Sequence, residues 1–215
     1  MLNKTITKLP TPKAIVFDWD NTLVDAWTKM MKCTNQTFAA FAKDPLTLHD
    51  MKDSVHLSAK DAFPKIFGAD SDKARALYYD LYLNVYASEI PQPLAGVEDM
   101  LKHIKSLGIY TAVLSNKKGA VLRDEVTAHG YDKYFNKIVG STDAAEDKPS
   151  LLALKLALGE IKPDADVWFV GDTEVDMLCA NNAGCTKIFY GDGQTTFDAI
   201  RINSYQEFIN VHDKT

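Results

Sequence analysis

Residues 14–22 read AIVFDWDNT, and this stretch joins an apolar run to two aspartates that stand one residue apart. The apolar run at 14–17 predicts a short buried strand. Asp18 and Asp20 follow the strand at once, and two neighbouring carboxylates repel each other unless their charge is neutralised. The stretch therefore predicts a first strand that ends at a chemically active site.

Further short apolar runs in the second half of the chain alternate with helical patterns. The predicted strands are 109–114, 137–139, 167–170 and 187–190, and the predicted helices are 97–107, 119–129, 150–158 and 175–183. Gly130, Gly159 and Gly184 follow three of these helices, and glycine is a common helix stop because it adopts the left-handed conformation without a steric clash. The alternation predicts an α/β fold, a Rossmann-like parallel sheet with helices on both faces.

The segment between the first two predicted strands has a different pattern. Apolar side chains, many of them aromatic, recur at helical spacing in 27–41 and 78–86, which predicts two amphipathic helices. Between them, Ser58 and Asp61 resemble a capping box that opens a short helix. We interpret residues 25–92 as an all-α insert whose aromatic side chains pack within it.

The prolines Pro91 and Pro93 mark the end of the insert, because proline cannot continue a helix. The predicted domains are an α/β core formed by 13–24 and 93–215, and an α-helical cap formed by 25–92. An insert after the first strand of a parallel sheet would lie beside the carboxyl ends of the strands, where ligands bind in open α/β folds. It could then act as a lid.

The composition argues against several kinds of partner. The net charge is −5, from 24 basic and 29 acidic side chains, and the lysines are scattered, so we expect no nucleic-acid partner. No apolar window reaches the roughly 18 residues of a membrane span or the pattern of a signal peptide, which favours a cytoplasmic protein without membrane contact. The three cysteines match neither a disulfide framework nor a zinc site. The sequence leaves a monomer and a homodimer equally open.

Polar side chains follow the predicted strands at the points where the strands end. They are Asp18 and Asp20 after the first strand, Ser115, Asn116 and Lys117 after the second, and Asp172, Thr173 and Asp176 after the fourth, with Lys148 before a helix. Taken singly, these residues have plain structural explanations, such as a helix cap, a turn or a solvated loop lysine. Because the carboxyl ends of parallel strands share one edge of a sheet, we expect the whole group to converge.

A cluster of carboxylates without Cys or His ligands suits a hard cation such as Mg²⁺, with Asp18 and Asp172 as its ligands. A carboxylate beside such a cation can also act as a nucleophile towards a phosphoryl group. Lys148 and Ser115 would then hold the remaining phosphate oxygens by charge and by a hydroxyl donor.

The order of these residues resembles the four motifs of the haloacid dehalogenase-like (HAD) superfamily of phosphohydrolases. The matching stretches are D18-W-D20-N-T22, Ser115-Asn116, Lys148-Pro149 and G171-D-T-E-V-D176. The resemblance covers about residues 13–190, and the insert matches the α-helical cap of one subgroup. The stretch LSNKKGAVLRDEVTAHGYDKYF is most similar to phosphoglycolate-phosphatase-like members. Asn21 departs from the usual Gly, although Asn tolerates the left-handed conformation, and Leu151 departs from a usual second Pro.

The resemblance implies a role for each acidic residue. Asp18 would attack phosphorus and form an aspartyl phosphate, while Asp20 would protonate the leaving oxygen and later take a proton from the attacking water. Asp172, the Asp18 carboxylate and the Asp20 carbonyl oxygen would bind Mg²⁺. Asp176 would support the site by holding its neighbours.

The resemblance also implies a phosphate-binding side of the site. Ser115, Asn116 and Lys148 would hold the phosphate, and Thr22 is grouped with them because it would fix the loop that carries Asp20. Trp19, between the two catalytic aspartates, is expected to pack or to contact the cap.

The predicted function is that of a Mg²⁺-dependent phosphatase acting on a small phosphorylated metabolite similar to phosphoglycolate. One alternative is a sugar-phosphate mutase of the same superfamily. Another is a binding or signalling module that depends on phosphorylated Asp18. Asp20 argues against the module, because a long-lived aspartyl phosphate is better served without a base that activates water.

Overall fold

The part of the chain that this computed structural model describes, residues 6, 9–54 and 59–209, alternates strands and helices. The strands are β1 (Ala14–Phe17), β2 (Val24–Asp25), β3 (Gln92–Pro93), β4 (Tyr110–Leu114), β5 (Lys137–Val139), β6 (Val167–Gly171), β7 (Thr186–Tyr190) and β8 (Ile200–Ile202). The α-helices are α1 (Trp27–Ala40), α2 (Leu48–Ser54), α3 (Ala59–Phe67), α4 (Ser71–Asp80), α5 (Val97–Ser106), α6 (Gly119–Ala128), α7 (Leu151–Leu158), α8 (Glu174–Ala183) and α9 (Gln206–Ile209).

Six strands form one sheet in the order β5-β4-β1-β6-β7-β8, and every neighbouring pair is parallel. The predicted α/β fold with a parallel sheet is therefore confirmed. Strand β1 lies between β4 and β6, so the residues that follow these three strands meet at one edge of the sheet. The short strands β2 and β3 pair with each other in a separate sheet.

Strand β1 is buried on both faces, which explains why its sequence is a continuous apolar run instead of an alternating one. Ile15 and Phe17 pack in the cluster that includes residues of α5 and α6. Ala14 and Val16 pack in the opposite cluster, with residues of α7 and α8. Helices thus cover both faces of the sheet.

The predicted bounds of the core elements never differ from the observed ones by more than one residue, but strand β8 was not predicted. It contains only three residues, and the exposed Arg201 separates its two buried isoleucines. Helix α7 begins one residue later than predicted because Ser150 is its N-cap and accepts a hydrogen bond from the Leu152 amide. In the described part of the chain, no helix has the length and apolar character needed to cross a membrane.

The chain divides into two compact units, one formed by residues 1–24 and 93–215 and the other by residues 25–92. The second unit contains α1 to α4, followed by a π-helical turn. Its small core is aromatic, with the rings of Phe38 and Phe67 in edge contact at 5.4 Å between centroids. The capping box expected at Ser58 lies outside the described residues.

All three cysteines are buried, and we expect them to be unreactive in the folded protein. Burial raises the pKa of the Cys33 and Cys185 thiols to about 11 and that of Cys179 to about 12. At pH 8, therefore, about one thiol in a thousand or fewer would be the reactive thiolate. Iodoacetamide should modify the native protein far more slowly than the urea-unfolded protein, as measured by intact mass. Rapid modification of the native protein at pH 8 would contradict this expectation.

Candidate active site

The site begins where three adjacent strands of the sheet end. The Asp18 amide, just after β1, donates to the Val170 carbonyl at 2.8 Å, and the Ser115 amide, just after β4, donates to the Val139 carbonyl at 3.0 Å. Both residues therefore remain fixed by neighbouring strands although they follow the strand ends. Asp172 follows β6 at the same edge.

Four side chains from distant parts of the sequence meet at this edge. Oxygens of Asp18, Asp172 and Asp176 all lie within 4.8 Å of one another. The Lys148 ammonium lies 2.5 Å from Asp18 Oδ1 and 2.7 Å from Asp176 Oδ1, and its side chain is 4% exposed. The structure thus brings Lys148 together with three of the four acidic residues that the sequence singled out, and Asp20 contacts Lys117 instead.

The cluster carries more negative than positive charge, and its protonation reflects this. Burial, together with the charge of Asp176, raises the pKa of Asp18 to about 7, although Lys148 opposes the shift. Burial and the neighbouring carboxylates likewise raise the pKa of Asp172 well above its usual value. Burial alone would lower the pKa of Lys148, but Asp176 and Asp18 raise it instead. These carboxylates therefore need a further positive charge to be ionised together.

Asp176 is held from two sides. Its Oδ1 accepts from Lys148, and its Oδ2 accepts from the Thr173 amide at 3.1 Å and the Thr173 hydroxyl at 2.5 Å, as part of a capping box at the start of α8. Gly171 permits this arrangement, because a Cβ there would lie 2.4 Å from the Asp176 Cβ. Glycine at 171 is thus required by the close approach of Asp176.

The loop after β1 makes a tight turn that carries Asp20. Asn21 adopts the left-handed conformation with φ of 58°, and its amide donates to the Val24 carbonyl at 2.7 Å. This is the conformation that asparagine tolerates better than most residues. Thr22 ties the turn to the rest of the site, because its hydroxyl donates to Asp172 Oδ1 at 3.1 Å and its carbonyl accepts from the Tyr205 hydroxyl.

Ser115 and Asn116 lie beside Lys148 but make different contacts. The Asn116 amide oxygen accepts from the Lys148 backbone at 2.9 Å, and the Asn116 amide nitrogen donates to the Lys148 carbonyl at 3.2 Å. These bonds favour a role for Asn116 in positioning Lys148 over direct contact with phosphate. Ser115 is buried, and its Oγ accepts from the Lys117 amide at 3.2 Å, which leaves its hydroxyl proton available to donate.

A second charged group, formed by Lys117 and Glu125, lies beside Asp20; the sequence predicted Lys117 at this edge of the sheet but not Glu125. The Lys117 ammonium lies 2.6 Å from Asp20 Oδ1 and 2.6 Å from Glu125 Oε2. The indole nitrogen of Trp19 also donates to Glu125 Oε2, at 2.8 Å. Burial raises the pKa of Asp20, and Lys117 opposes this shift. The signal for Glu125 was its place on the apolar stripe of α6, where it follows Leu122 by three residues and is buried.

The donor set at the strand ends fits a hard divalent cation. Among the described residues, hydrogen bonds engage only Oδ1 of Asp18 and of Asp172, so that Oδ2 of each remains for a cation. Both oxygens of Asp176 are engaged, which fits a supporting role. Carboxylate oxygens without sulfur or imidazole ligands are the donors that suit Mg²⁺.

Comparison with known proteins gives matches over most of the chain. Residues 15–190 match the family model described as haloacid dehalogenase-like hydrolase. The chain is 26% identical over 194 residues to phosphoglycolate phosphatase 1 of Pseudomonas aeruginosa, which covers 84% of this chain and 70% of that one. It is 27% identical over 187 residues to a phosphoglycolate phosphatase of Vibrio vulnificus, and this match covers 81% of this chain and 82% of that protein. A solved HAD-superfamily hydrolase from Ehrlichia chaffeensis superimposes on this chain with a TM-score of 0.66 at 25% sequence identity. The superposition covers 95% of this chain and 99% of that one.

Proposed function

The chain belongs to the haloacid dehalogenase-like hydrolase family, and we propose that it is a cytoplasmic, Mg²⁺-dependent phosphatase that hydrolyses a small phosphorylated metabolite through an aspartyl phosphate at Asp18. The family match, with relatives named phosphoglycolate phosphatase, confirms the prediction of a phosphoric monoester hydrolase. The names of these relatives support a substrate similar to phosphoglycolate. The observation that carries the proposal is the convergence of Asp18, Asp172 and Lys148 at one edge of the sheet.

In this proposal the Asp18 and Asp172 carboxylates and the Asp20 carbonyl oxygen would hold Mg²⁺. When bound, the ion would neutralise these carboxylates and the charge of the substrate phosphate. Lys148 already supplies one positive charge to the same cluster, and its two carboxylate contacts fix its ammonium beside Asp18. The hydroxyl of Ser115 supplies a neutral donor at the end of β4.

Asp18 would attack the phosphorus atom while the bond between phosphorus and the leaving oxygen breaks. Asp20 would give its proton to that leaving oxygen. In the second half of the reaction Asp20 would take a proton from the attacking water, which releases inorganic phosphate and restores the Asp18 carboxylate. Most of the acceleration in such a site comes from positioning and charge stabilisation.

A panel of phosphate monoesters, assayed with and without Mg²⁺, tests this function. We expect Mg²⁺-dependent release of inorganic phosphate from at least one small ester. Isomerised product without phosphate release would point instead to a mutase, and an aspartyl phosphate that lasts for hours would point to a binding module. No turnover of any ester by the folded protein would overturn the phosphatase proposal.

Mg²⁺ binding should raise the melting temperature, and Asp172 should be required for this effect. A ligand at about 100 times its Kd that binds only the folded state stabilises a protein by about 2.7 kcal/mol, which corresponds to several degrees. We expect D172N to lose this shift, because the substitution removes one of the two carboxylate ligands. The exposed Asp166 offers a matched control, and D166N should keep the shift. A full shift in D172N would contradict the assigned ligand set.

A further inference from the structure

A chain of hydrogen-bonded side chains connects Asp20 to helix α6. One oxygen of Glu125, Oε2, accepts from both the Lys117 ammonium and the Trp19 indole, at 2.6 and 2.8 Å. The same ammonium donates to Asp20 Oδ1 at 2.6 Å. Lys117 therefore joins the Asp20 carboxyl to Glu125 on α6, which we call the anchor.

The anchor is buried and rigid. The side chains of Lys117 and Glu125 are 8% and 7% exposed, and Trp19 is fully buried. Glu125 lies on α6 beside Leu122 and Val126, which are part of the main core. Because α6 is packed against the sheet, Glu125 has little freedom to move, and the lysine that it holds is fixed in turn.

The position of Trp19 between the two catalytic aspartates has a geometric consequence. Along an extended chain, successive side chains point to opposite sides. Asp18 and Asp20 belong to the polar site, whereas the Trp19 ring packs in the core with its N–H on Glu125. Trp19 thus ties the loop between the aspartates to the same anchor that holds Lys117.

We propose that Lys117, Glu125 and Trp19 form a positioning clamp that orients the Asp20 carboxyl towards the leaving oxygen of the substrate. The clamp binds Asp20 through Oδ1, which leaves Oδ2 to carry the reacting proton. As Asp18 forms its bond to phosphorus and the bond to the leaving oxygen breaks, the proton on Oδ2 passes to that oxygen. This role rests on the proposed phosphatase function.

The charges of the clamp argue for a role beyond packing. Buried ion pairs give little net stability, and apolar side chains of similar volume often replace them without loss. A structural contact between the β1 loop and α6 would therefore not need Lys117 and Glu125. A fixed ammonium beside Asp20, in contrast, holds one carboxyl oxygen in place and supplies positive charge where a carboxylate forms after proton transfer.

The test compares two phosphate esters that differ in their need for an acid. An alkyl phosphate has a poor leaving group and depends on protonation, whereas p-nitrophenyl phosphate has a good leaving group and depends on it little. For Lys117→Met we expect kcat/KM to fall about 100-fold for the alkyl ester and less than about threefold for p-nitrophenyl phosphate. D20N should show the same selectivity with a larger loss. If Lys117 served only as a positive charge, its loss would lower kcat/KM for both esters by the same factor.

Two further variants complete the experiment. Lys118→Met removes an adjacent exposed lysine and should change kcat/KM for neither ester by more than about threefold. Glu125→Gln keeps the shape of the anchor and should lower kcat/KM selectively for the alkyl ester, by about tenfold, which keeps the test decisive if Lys117→Met folds poorly.

The outcomes separate the clamp from the proposed function. Suppose that the wild-type protein is active but that Lys117→Met and Glu125→Gln lower kcat/KM equally for both esters, or no more than Lys118→Met does. That result overturns the clamp alone. A folded wild-type protein that hydrolyses neither ester, nor any other monoester, overturns the phosphatase function and the clamp with it.

Discussion

D18N should abolish phosphate release, with kcat/KM lower than that of the wild-type protein by at least about 10⁴-fold for every ester that turns over. The amide of asparagine is a poor nucleophile, and the substitution also removes a carboxylate from the proposed cation site. Phosphate release under excess Mg²⁺ is the measurement. The exposed Asp124 provides a matched control, and D124N should retain full activity.

The D18N protein should remain folded, which separates chemistry from stability. The pKa of Asp18 is raised from 3.8 to about 7 in the folded protein, so the unfolded state loses this proton at lower pH than the folded state does. Stability from this group therefore falls as pH rises from about 4 to about 7, and at pH 8 the ionised carboxyl is a net cost. A neutral amide removes that cost. A large drop in melting temperature at pH 8 without Mg²⁺ would contradict this account.

Lys148→Met should lower the free energy of unfolding by about 3–5 kcal/mol in the absence of Mg²⁺. The substitution leaves Asp18 and Asp176 buried without the cation that contacts both of them. Urea unfolding monitored by circular dichroism measures the change, and adding Mg²⁺ should recover part of it. Activity should be lost as well, because the site loses a positive charge beside the attacking carboxylate.

The matched control for Lys148 is a lysine in an exposed ion pair. Lys13 lies 2.5 Å from Asp164, but the two side chains are 38% and 44% exposed. Exposed pairs contribute at most about 1 kcal/mol, so Lys13→Met should have a small effect. Equal destabilisation by the two substitutions would show that the cluster around Lys148 does not behave as a buried charge network.

The sequence predicted the sheet well because strands that are buried on both faces of a parallel sheet have short, continuous apolar sequences. Strand β6, predicted at 167–170, extends one residue further, and the predicted strand 137–139 matches β5. Strand β8 was missed because three residues with a charged one in the middle do not form such a run. The length of an element therefore limits its prediction more than its position in the fold does.

The convergence of the site could be expected from topology alone, because β4, β1 and β6 are neighbours and end at one edge. Topology could not predict the contacts that depend on how far individual side chains reach. The bond between Tyr205 and Thr22 joins residues 183 positions apart, and nothing in either local sequence indicates it. The sequence groups Asn116 with the phosphate ligands, but its side-chain amide is hydrogen-bonded to the backbone of Lys148, which only the three-dimensional arrangement reveals.

Trapping the phosphorylated enzyme tests the central claim most directly. A radiolabelled phosphate ester that turns over should be mixed with the protein, quenched rapidly in acid, and the label mapped by peptide analysis. We expect the label on Asp18 and none in D18N; with an ester whose leaving group needs no protonation, such as p-nitrophenyl phosphate, we expect a higher amount of label in D20N, where water is no longer activated. Phosphate release at the full rate from a protein that never carries label at Asp18, or label on a different residue, would contradict the account.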